Sequence, residues 1–185
     1  MIELKPFDLS NAETHFRWNN DEELNFYDSD YPHREESYDE FVNRMKLFTL
    51  NGDHGLKLFE IHDEDSGELI GVIDIYDIDN YNRRCHIDCT IGDKEFRNKG
   101  YGEAALQKAL AVCFTDMGMN KVLTTAFDFN ESWINLVQKL GFSKDGILRK
   151  HTWKQDGYCD KFLFSLLKEE FELDASNSYY KVSPT

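Results

Sequence analysis

Residues 97–102 read Arg-Asn-Lys-Gly-Tyr-Gly (RNKGYG), and this stretch decides the fold. An apolar, β-branched run over 87–91 precedes it, and a helical pattern over 103–114 follows it. A strand, a glycine-bearing turn and a helix in this order leave the first N–H groups of the helix without internal partners, and such groups bind phosphate. Gly100 and Gly102 allow a ligand to approach the backbone closely. The stretch therefore predicts an anion-binding turn.

The spacing within this turn differs from the two most familiar nucleotide-binding loops. No Lys-Ser or Lys-Thr follows Gly102, as a P-loop requires, and the pattern Gly-x-Gly-x-x-Gly is absent from the turn. The side chains of Arg97 and Lys99 add positive charge to a strongly acidic chain. Taken alone, the six residues are equally typical of a strand-to-helix connection with two solvated basic side chains.

The composition indicates one folded domain. The chain has 185 residues, of which 41% are hydrophobic and 14% aromatic, enough for a full-sized core. No apolar run approaches the roughly 20 residues of a membrane span, and the first eight residues lack a signal-peptide core, so we expect a cytoplasmic protein without membrane contact. The formal net charge of −14 argues against nucleic acid as a partner and is compatible with a cationic substrate. The composition is also compatible with a homodimer.

The cysteines give no sign of a metal site. Four are present, at positions 85, 89, 113 and 159, and none forms a C-x-x-C pair. Cys85 and Cys89 lie in a predicted strand, where four residues span about 13 Å, too far for one metal ion or one disulfide. We therefore expect reduced thiols and no metal.

Alternating and helical patterns predict an α/β or α+β domain over 1–168, followed by a helical end and polar tail over 169–185. Strand patterns cover 2–5, 56–62, 68–78, 84–91, 121–127, 142–151 and 158–166, with a hairpin turn at 155–157. Helices are predicted from capping boxes at Ser10/Glu13 and Ser37/Glu40, over 103–114, and over 131–140 between an Asn130 N-cap and Gly141.

The stretch 21–40 combines nine carboxylates with four aromatic residues. Aromatic rings among carboxylates can form a pocket for an ammonium group through cation–π contacts and ion pairs. For most of these residues a solvated acidic face, with the rings turned into the core, is the simpler interpretation. A minority is expected to line a site for a cationic substrate.

Residues 130–142 read NESWINLVQKLGF, about thirty residues after the turn. This segment resembles the pattern N-x-x-[AS]-x-x-L-x-x-K-L-G-F of the GNAT superfamily of N-acetyltransferases, and the turn resembles the Arg-x-x-Gly-x-Gly acetyl-CoA loop of the same superfamily. With Gly157-x-x-Asp160, the match is similar to the RimJ/RimL-like branch, the relatives that acetylate ribosomal proteins and polyamines. The clear resemblance covers 85–167, whereas the first eighty residues agree only in layout.

The resemblance implies a mixed, mostly antiparallel central sheet of six to seven strands, flanked by helices, with a splayed strand pair that forms the acetyl-CoA cleft. Acetyl-CoA would be the co-substrate, its pyrophosphate would lie on the amides of the turn, and its pantetheine arm would lie along the preceding strand. The implied cofactor-binding residues are Arg97, Asn98, Lys99, Gly100, Tyr101 and Gly102 in the turn, Cys89 and Ile91 in the strand, and Asn130 and Lys139 in the second motif.

Three positions depart from the superfamily pattern. Val137 stands where many relatives have a Tyr that can protonate the leaving thiolate. Trp133 replaces a small residue and is expected to narrow the space beside the acetyl group. His86 occupies a strand position that often holds Glu.

The alternation of the strand over 84–91 places His86 and Asp88 on its polar face, and we take these two as candidate proton acceptors. The predicted activity is transfer of acetyl from acetyl-CoA to a primary amine, with a polyamine or other small cationic amine first. A protein N-terminus or an aminoglycoside-type amine is the alternative acceptor. A non-catalytic CoA-binding domain and a nucleotide-binding protein are the remaining alternatives.

Overall fold

A computed structural model describes residues 1–51, 55–155 and 157–175. The strands are β1 Ile2–Pro6, β2 Leu56–Asp63, β3 Leu69–Asp79, β4 Arg84–Ile91, β5 Lys121–Phe127, β6 Ser143–Lys154 and β7 Gly157–Leu167. The helices are α1 Ala12–Asn19, α2 Glu22–Asp28, α3 Tyr38–Asn51, α4 Tyr101–Ala111, α5 Glu131–Lys139 and α6 Lys168–Ala175. Asp156 in the predicted hairpin turn and residues 176–185 of the predicted helical end and polar tail lie outside the described residues.

The described strands form one sheet in the order β1-β2-β3-β4-β5-β7-β6. Every neighbouring pair is antiparallel except β4 and β5, which are parallel and are joined by a crossover through α4. This architecture confirms the predicted mixed, mostly antiparallel sheet flanked by helices.

The pair β4 and β5 separates along its length. Within these two fully described strands, pairing runs from Arg84↔Lys121 to His86↔Leu123 and stops there. We call the wedge between residues 87–91 of β4 and 124–127 of β5 the fork. The fork is the splayed strand pair that the resemblance implies.

Helices cover both faces of the sheet. On one face α4 buries its apolar stripe, including Leu106 and Leu110, against the isoleucines of β2, β3 and β4. On the other face α1 and α3 pack Ala12, Phe41 and Met45 against the first strands. The polar face of β4 therefore points toward α1, α2 and α3, and its apolar face points toward α4. None of the described helices is long and apolar enough to cross a membrane.

Two predicted helix starts have different outcomes. The capping box at Ser37 is confirmed, because the Ser37 N–H donates to Glu40 Oε2 at 3.0 Å and the Glu40 N–H donates to Ser37 Oγ at 3.3 Å. The prediction of a capping box at Ser10 and Glu13 is wrong. There the Asp8 carboxylate accepts from the Ser10 N–H at 2.8 Å, a 3₁₀ turn follows, and α1 begins at Ala12.

Candidate active site

A cleft of about 790 Å³ opens at the fork, between α2 on one side and the starts of α4 and α5 on the other. Of the turn over 97–102, Arg97, Asn98, Gly100 and Gly102 line the cleft, and Lys99 and Tyr101 do not; Asp28 and Lys161 also belong to the lining. Most ligand sites are cavities of this size that are lined by a few convergent polar groups. The cleft is therefore the candidate active site, and it includes both the predicted turn and the polar face of β4.

The turn has the backbone that an anion-binding loop needs. Asn98 and Gly100 have left-handed φ values of 59° and 88°. Ala104 is the first residue of α4 whose N–H returns to a carbonyl of the turn, that of Gly100 at 3.0 Å. The N–H groups before it precede the internal ladder of the helix, and they carry the positive end of the helix dipole. A Cβ on Gly102 would lie 3.7 Å from Ile91 Cγ1 and would narrow the cleft.

Arg97 holds the turn against the end of β4. Its Nε donates to the Ile91 carbonyl at 3.0 Å, and its Nη2 donates to the Gly92 carbonyl at 2.9 Å. A third contact joins Nη1 to Glu23 of α2 at 3.4 Å. The guanidinium therefore fixes the turn in place, while Lys99 beside it is exposed.

The edge of β4 presents its main chain to the cleft. The Gly92 N–H donates to Ile70 on the β3 side at 2.9 Å. Because successive residues of a strand direct their N–H and C=O groups to alternate edges, those of Cys89 and Ile91 point into the fork. Such an edge can hydrogen-bond an extended ligand as an added strand would.

Helix α5 provides the second predicted motif. The side chain of Asn130 accepts from the Trp133 N–H at 3.3 Å and caps the helix, as predicted, and it also lines the cleft. Lys139, at the last turn, pairs with Glu103 of α4 at 2.7 Å. Val137 is fully buried in the core and is not part of the cleft lining.

Asp88 lies on the floor of the cleft and accepts two hydrogen bonds. Tyr76 Oη donates to one carboxylate oxygen at 2.8 Å, and Thr124 Oγ1 donates to the other at 3.0 Å. Burial within the cleft and the nearby charges of Asp28 and Asp74 raise the pKa of Asp88 to about 7, although the hydroxyl donors oppose this shift. The carboxyl group of Asp88 therefore changes its protonation state near neutral pH.

His86 and Asp74 lie beside Asp88 on the same face. The ring of His86 lies 5.3 Å from that of Tyr76, before the fork, and burial lowers the pKa of His86. Burial and the charge of Asp28 raise the pKa of Asp74 to about 7. Of the two predicted proton acceptors, Asp88 belongs to the described cleft lining and His86 does not.

Helix α2 covers the cleft and was not predicted. The Asp21 side chain caps it at Leu24 N–H, 3.1 Å away. Aromatic rings fix its last turn, since Phe26 stacks on Phe129 with ring centroids 5.0 Å apart. Lys154 Nζ then donates to the Phe26 carbonyl at 2.8 Å. Part of the acidic stretch 21–40 thereby lies over the polar face of β4.

Sequence reasoning missed Asp74, Tyr76 and Thr124 beside Asp88, and the rings of Phe127 and Phe129 in the cleft lining. The period-2 pattern of β3 places Asp74 and Tyr76 on one face, but their neighbours depend on register: Asp74 pairs with Asp88, and Tyr76 with His86. Among the described residues, no group of three or more His, Cys, Asp or Glu side chains is arranged to hold a metal ion.

Comparisons with known proteins agree with this geometry. The acetyltransferase (GNAT) domain family matches residues 2–143. The chain is 32% identical over 111 residues to the SPbeta prophage-derived uncharacterized N-acetyltransferase YokL of Bacillus subtilis, covering 60% of this chain and 62% of that protein, which is less than two thirds of its length. It is 30% identical to spermidine N(1)-acetyltransferase of Escherichia coli K12 over 138 residues, 74% of this chain and 73% of that protein.

The chain is also similar to a protein named as a ribosomal N-acetyltransferase and to a solved structure. The putative ribosomal N-acetyltransferase YdaF of Bacillus subtilis is 30% identical and is matched over 70% of this chain and 67% of that protein. The spermidine N-acetyltransferase of Vibrio cholerae, solved in complex with CoA and spermine, superposes with a TM-score of 0.85 at 20% identity, covering 92% of this chain and 98% of that chain. At this identity the superposition shows the shared fold. The chain therefore belongs to the GNAT acetyltransferase family and is an acetyl-CoA-dependent N-acetyltransferase.

Proposed function

We propose that the chain acetylates a primary amine of a polyamine or another small cationic amine, by direct attack within a ternary complex with acetyl-CoA. The observation that carries the proposal is the position of Asp88, on the floor of the cleft and beside the fork. There one carboxyl group faces both the strand edge expected to hold the cofactor and the acidic side of the cleft.

The residues on the turn and on β4 fit the cofactor. We propose that the amides over 97–102 hold the pyrophosphate, because they begin a helix and because Gly102 leaves room on the cleft side. The main chain at Cys89 would hold the pantetheine arm, and the Asn130 amide would bond to it as well. At Ile91 the carbonyl already accepts from Arg97, so the N–H is the group left for the cofactor. Lys139 pairs with Glu103, and it would bind a phosphate of the cofactor after leaving Glu103.

The opposite side of the cleft suits a cation. Asp28 and Asp88 line it, and Asp74 lies behind Asp88 in register, whereas Glu23 pairs with Lys94 and Arg97 on the turn side. The rings of Tyr27, Phe127 and Phe129 add faces on which an ammonium group can rest. Such a surface attracts a chain with several ammonium groups more strongly than a neutral amine.

We infer that Asp88 removes the proton that the attacking amine must lose. When bound, acetyl-CoA supplies a thioester whose carbonyl carbon accepts the amine. A carboxylate with a pKa near 7 suits a proton acceptor at neutral pH better than one at its usual value. The Ile91 N–H, which points into the fork, would be the donor to the carbonyl oxygen. His86 would influence Asp88 only through Tyr76, because its ring packs on the Tyr76 ring and Tyr76 Oη donates to Asp88.

Turnover with paired acceptors tests this proposal. The purified chain is mixed with acetyl-CoA and with spermidine, 1,4-diaminobutane, butylamine, an aminoglycoside or a peptide with a free N-terminus, and products are identified by mass spectrometry. We expect kcat/KM for 1,4-diaminobutane to exceed that for butylamine by about tenfold or more, because the second ammonium group gains a charged partner. A preference for the peptide, or CoA binding without any turnover, would contradict the proposal.

A further inference from the structure

The two strands that diverge at the fork are joined there through side chains. Thr124 directly follows Leu123, the last residue of β5 that pairs with β4. Its Oγ1 lies 3.0 Å from Asp88 Oδ1, and Trp133 Nε1 of α5 lies 3.2 Å from the same Oγ1. Thr124 is 1% exposed, so bulk water does not compete for these hydrogen bonds.

The chemistry of the three groups fixes the direction of this chain. An indole N–H can only donate, so Thr124 Oγ1 is the acceptor toward Trp133. The one hydrogen of the Thr124 hydroxyl is then left for Asp88. Tyr76 Oη donates to the second oxygen of the same carboxylate. Both oxygens of Asp88 thus receive hydrogen bonds, which stabilise its ionised form.

Trp133 is held by one hydrogen bond at its main chain and by another at its ring. The main-chain N–H of Trp133 is bonded to the Asn130 cap at the start of α5, and its ring N–H is bonded to Thr124. Trp133 lines the cleft, whereas Thr124 lies beneath the lining. The wide side chain that departs from the family pattern therefore links the expected cofactor side of the sheet to Asp88 on the acceptor side.

We propose that Thr124 and Trp133 are positioning residues of the acetyl transfer: Trp133 orients the Thr124 hydroxyl so that it donates to Asp88, which holds the carboxylate at the fork in its proton-accepting form. The inference rests on the proposed function in taking Asp88 as the acceptor of the amine proton. In that step the ammonium group loses one proton and Asp88 gains it, while the hydroxyl hydrogen of Thr124 stays on Thr124.

Other charged and titratable groups also face Asp88. Asp74 and Tyr76 of β3, Asp28 of α2 and Cys89 of β4 interact with it directly; Lys161 of β7 lines the same cleft, and His86 lies two residues away on the same face of β4. None of these is altered by changing Thr124 or Trp133, so a shift in the titration of Asp88 reports the hydrogen-bond chain.

The test compares Thr124→Val, which removes the hydroxyl at nearly constant shape, with Thr124→Ser, which keeps it. Trp133→Phe keeps an aromatic ring without the N–H. The control Thr115→Val removes a hydroxyl that bonds to Ala111, the last residue of α4, and to Asp116, outside the described cleft lining. For each protein, the pH profile of kcat/KM is measured with one acceptor, and the Asp88 carboxyl is titrated by ¹³C NMR.

We expect Thr124→Val to move the acidic limb and the Asp88 titration to higher pH by about half to one unit, because a donor to the carboxylate is lost. Trp133→Phe should move both in the same direction by less, and Thr124→Ser and Thr115→Val should match the wild type. Coincident Asp88 titrations for Thr124→Val and the wild type would overturn the inference, as would equal shifts for Val and Ser.

The two proposals can fail separately. If no amine is acetylated, or if Asp88→Asn retains full activity, the proposed function or its proton acceptor is wrong. The NMR titration needs no turnover, so it still decides whether Thr124 and Trp133 set the protonation of Asp88. A shifted titration without a shifted kinetic profile would overturn their role in the transfer.

Discussion

Asp74 and Asp88 face each other across the antiparallel pair β3 and β4, with their Cα atoms in register. Burial and the charge of Asp28 raise the pKa values of both carboxyl groups to about 7. Two carboxyl groups this close titrate as a pair, so near neutral pH the second ionises against the charge of the first. This relationship places a proton-accepting group beside the fork and makes the polar face of β4 sensitive to pH.

Replacing Asp74 should make Asp88 more acidic. In Asp74→Asn the like charge is absent, so the pKa of Asp88 falls, and the acidic limb of kcat/KM should move to lower pH by about one unit. The measurement is the pH profile with a single acceptor, because the protonation of the free amine is then the same in both proteins. An acidic limb that moves to higher pH would contradict this assignment.

Asp74→Asn should also change how the free energy of unfolding depends on pH. Because the pKa of Asp74 is raised to about 7 in the folded protein from the ordinary value of 3.8, the wild type loses stability as pH rises through this window. Asn cannot ionise, so Asp74→Asn should gain about 1–2 kcal/mol over the wild type between pH 4 and pH 8, a figure reduced for the half-buried position. Urea denaturation at both pH values measures it, and an unchanged difference would be evidence against the raised pKa.

His86 should matter less than Asp88. Its ring packs on Tyr76 outside the described cleft lining, and its lowered pKa keeps it neutral at pH 7. We expect His86→Gln to reduce kcat/KM by less than about tenfold, below the 10²–10⁴ typical of a lost general base. Steady-state kinetics at pH 7 and 8 test this expectation. If His86→Gln lowered kcat/KM a hundredfold and also removed the acidic limb of its pH profile, His86 would be the proton acceptor.

The sequence defines the cofactor side better than the acceptor side. The bounds of β4 and β5 were predicted at 84–91 and 121–127, because strict alternation and a glycine turn are local signals. Helix α2 was missed, since its seven residues are mostly acidic or polar and show no apolar stripe. The contact of Thr124 with Asp88 depends on where two strands 36 residues apart diverge, which alternation within one strand does not specify.

Gly102 offers a test of cofactor binding that is separate from folding. An added Cβ meets Ile91 and Leu136 at ordinary contact distances, and Ala favours a helix over Gly. Gly102→Ala should therefore keep or raise Tm while it weakens CoA binding by about tenfold, since the methyl group occupies the cleft beside the first amides of α4. Calorimetric titration with CoA and thermal unfolding together check this. Undiminished affinity would place the cofactor away from the turn.

Glu60 should stabilise the fold, and this stabilisation should be lost in acid. Burial would raise its pKa, but hydrogen bonds from His15, His62, the Asp8 N–H and Asn11 outweigh it and lower the pKa from 4.5 to about 2. Its stabilisation is thus complete above about pH 4.5 and is lost as the pH falls toward 2. We expect Glu60→Gln to cost about 2–4 kcal/mol at pH 7, with a smaller cost at pH 3. Denaturant unfolding at the two pH values measures this, and equal costs would exclude the predicted titration.

The pH dependence of single-turnover acetyl transfer by Asp88→Asn, at saturating acetyl-CoA and with spermidine as acceptor, tests the central claim most directly. We predict CoA affinity within about twofold of the wild type, a rate reduced by about 10² or more, and loss of the acidic limb. An Asp88→Asn protein that transfers acetyl within about threefold of the wild-type rate, with the limb intact, would contradict the account.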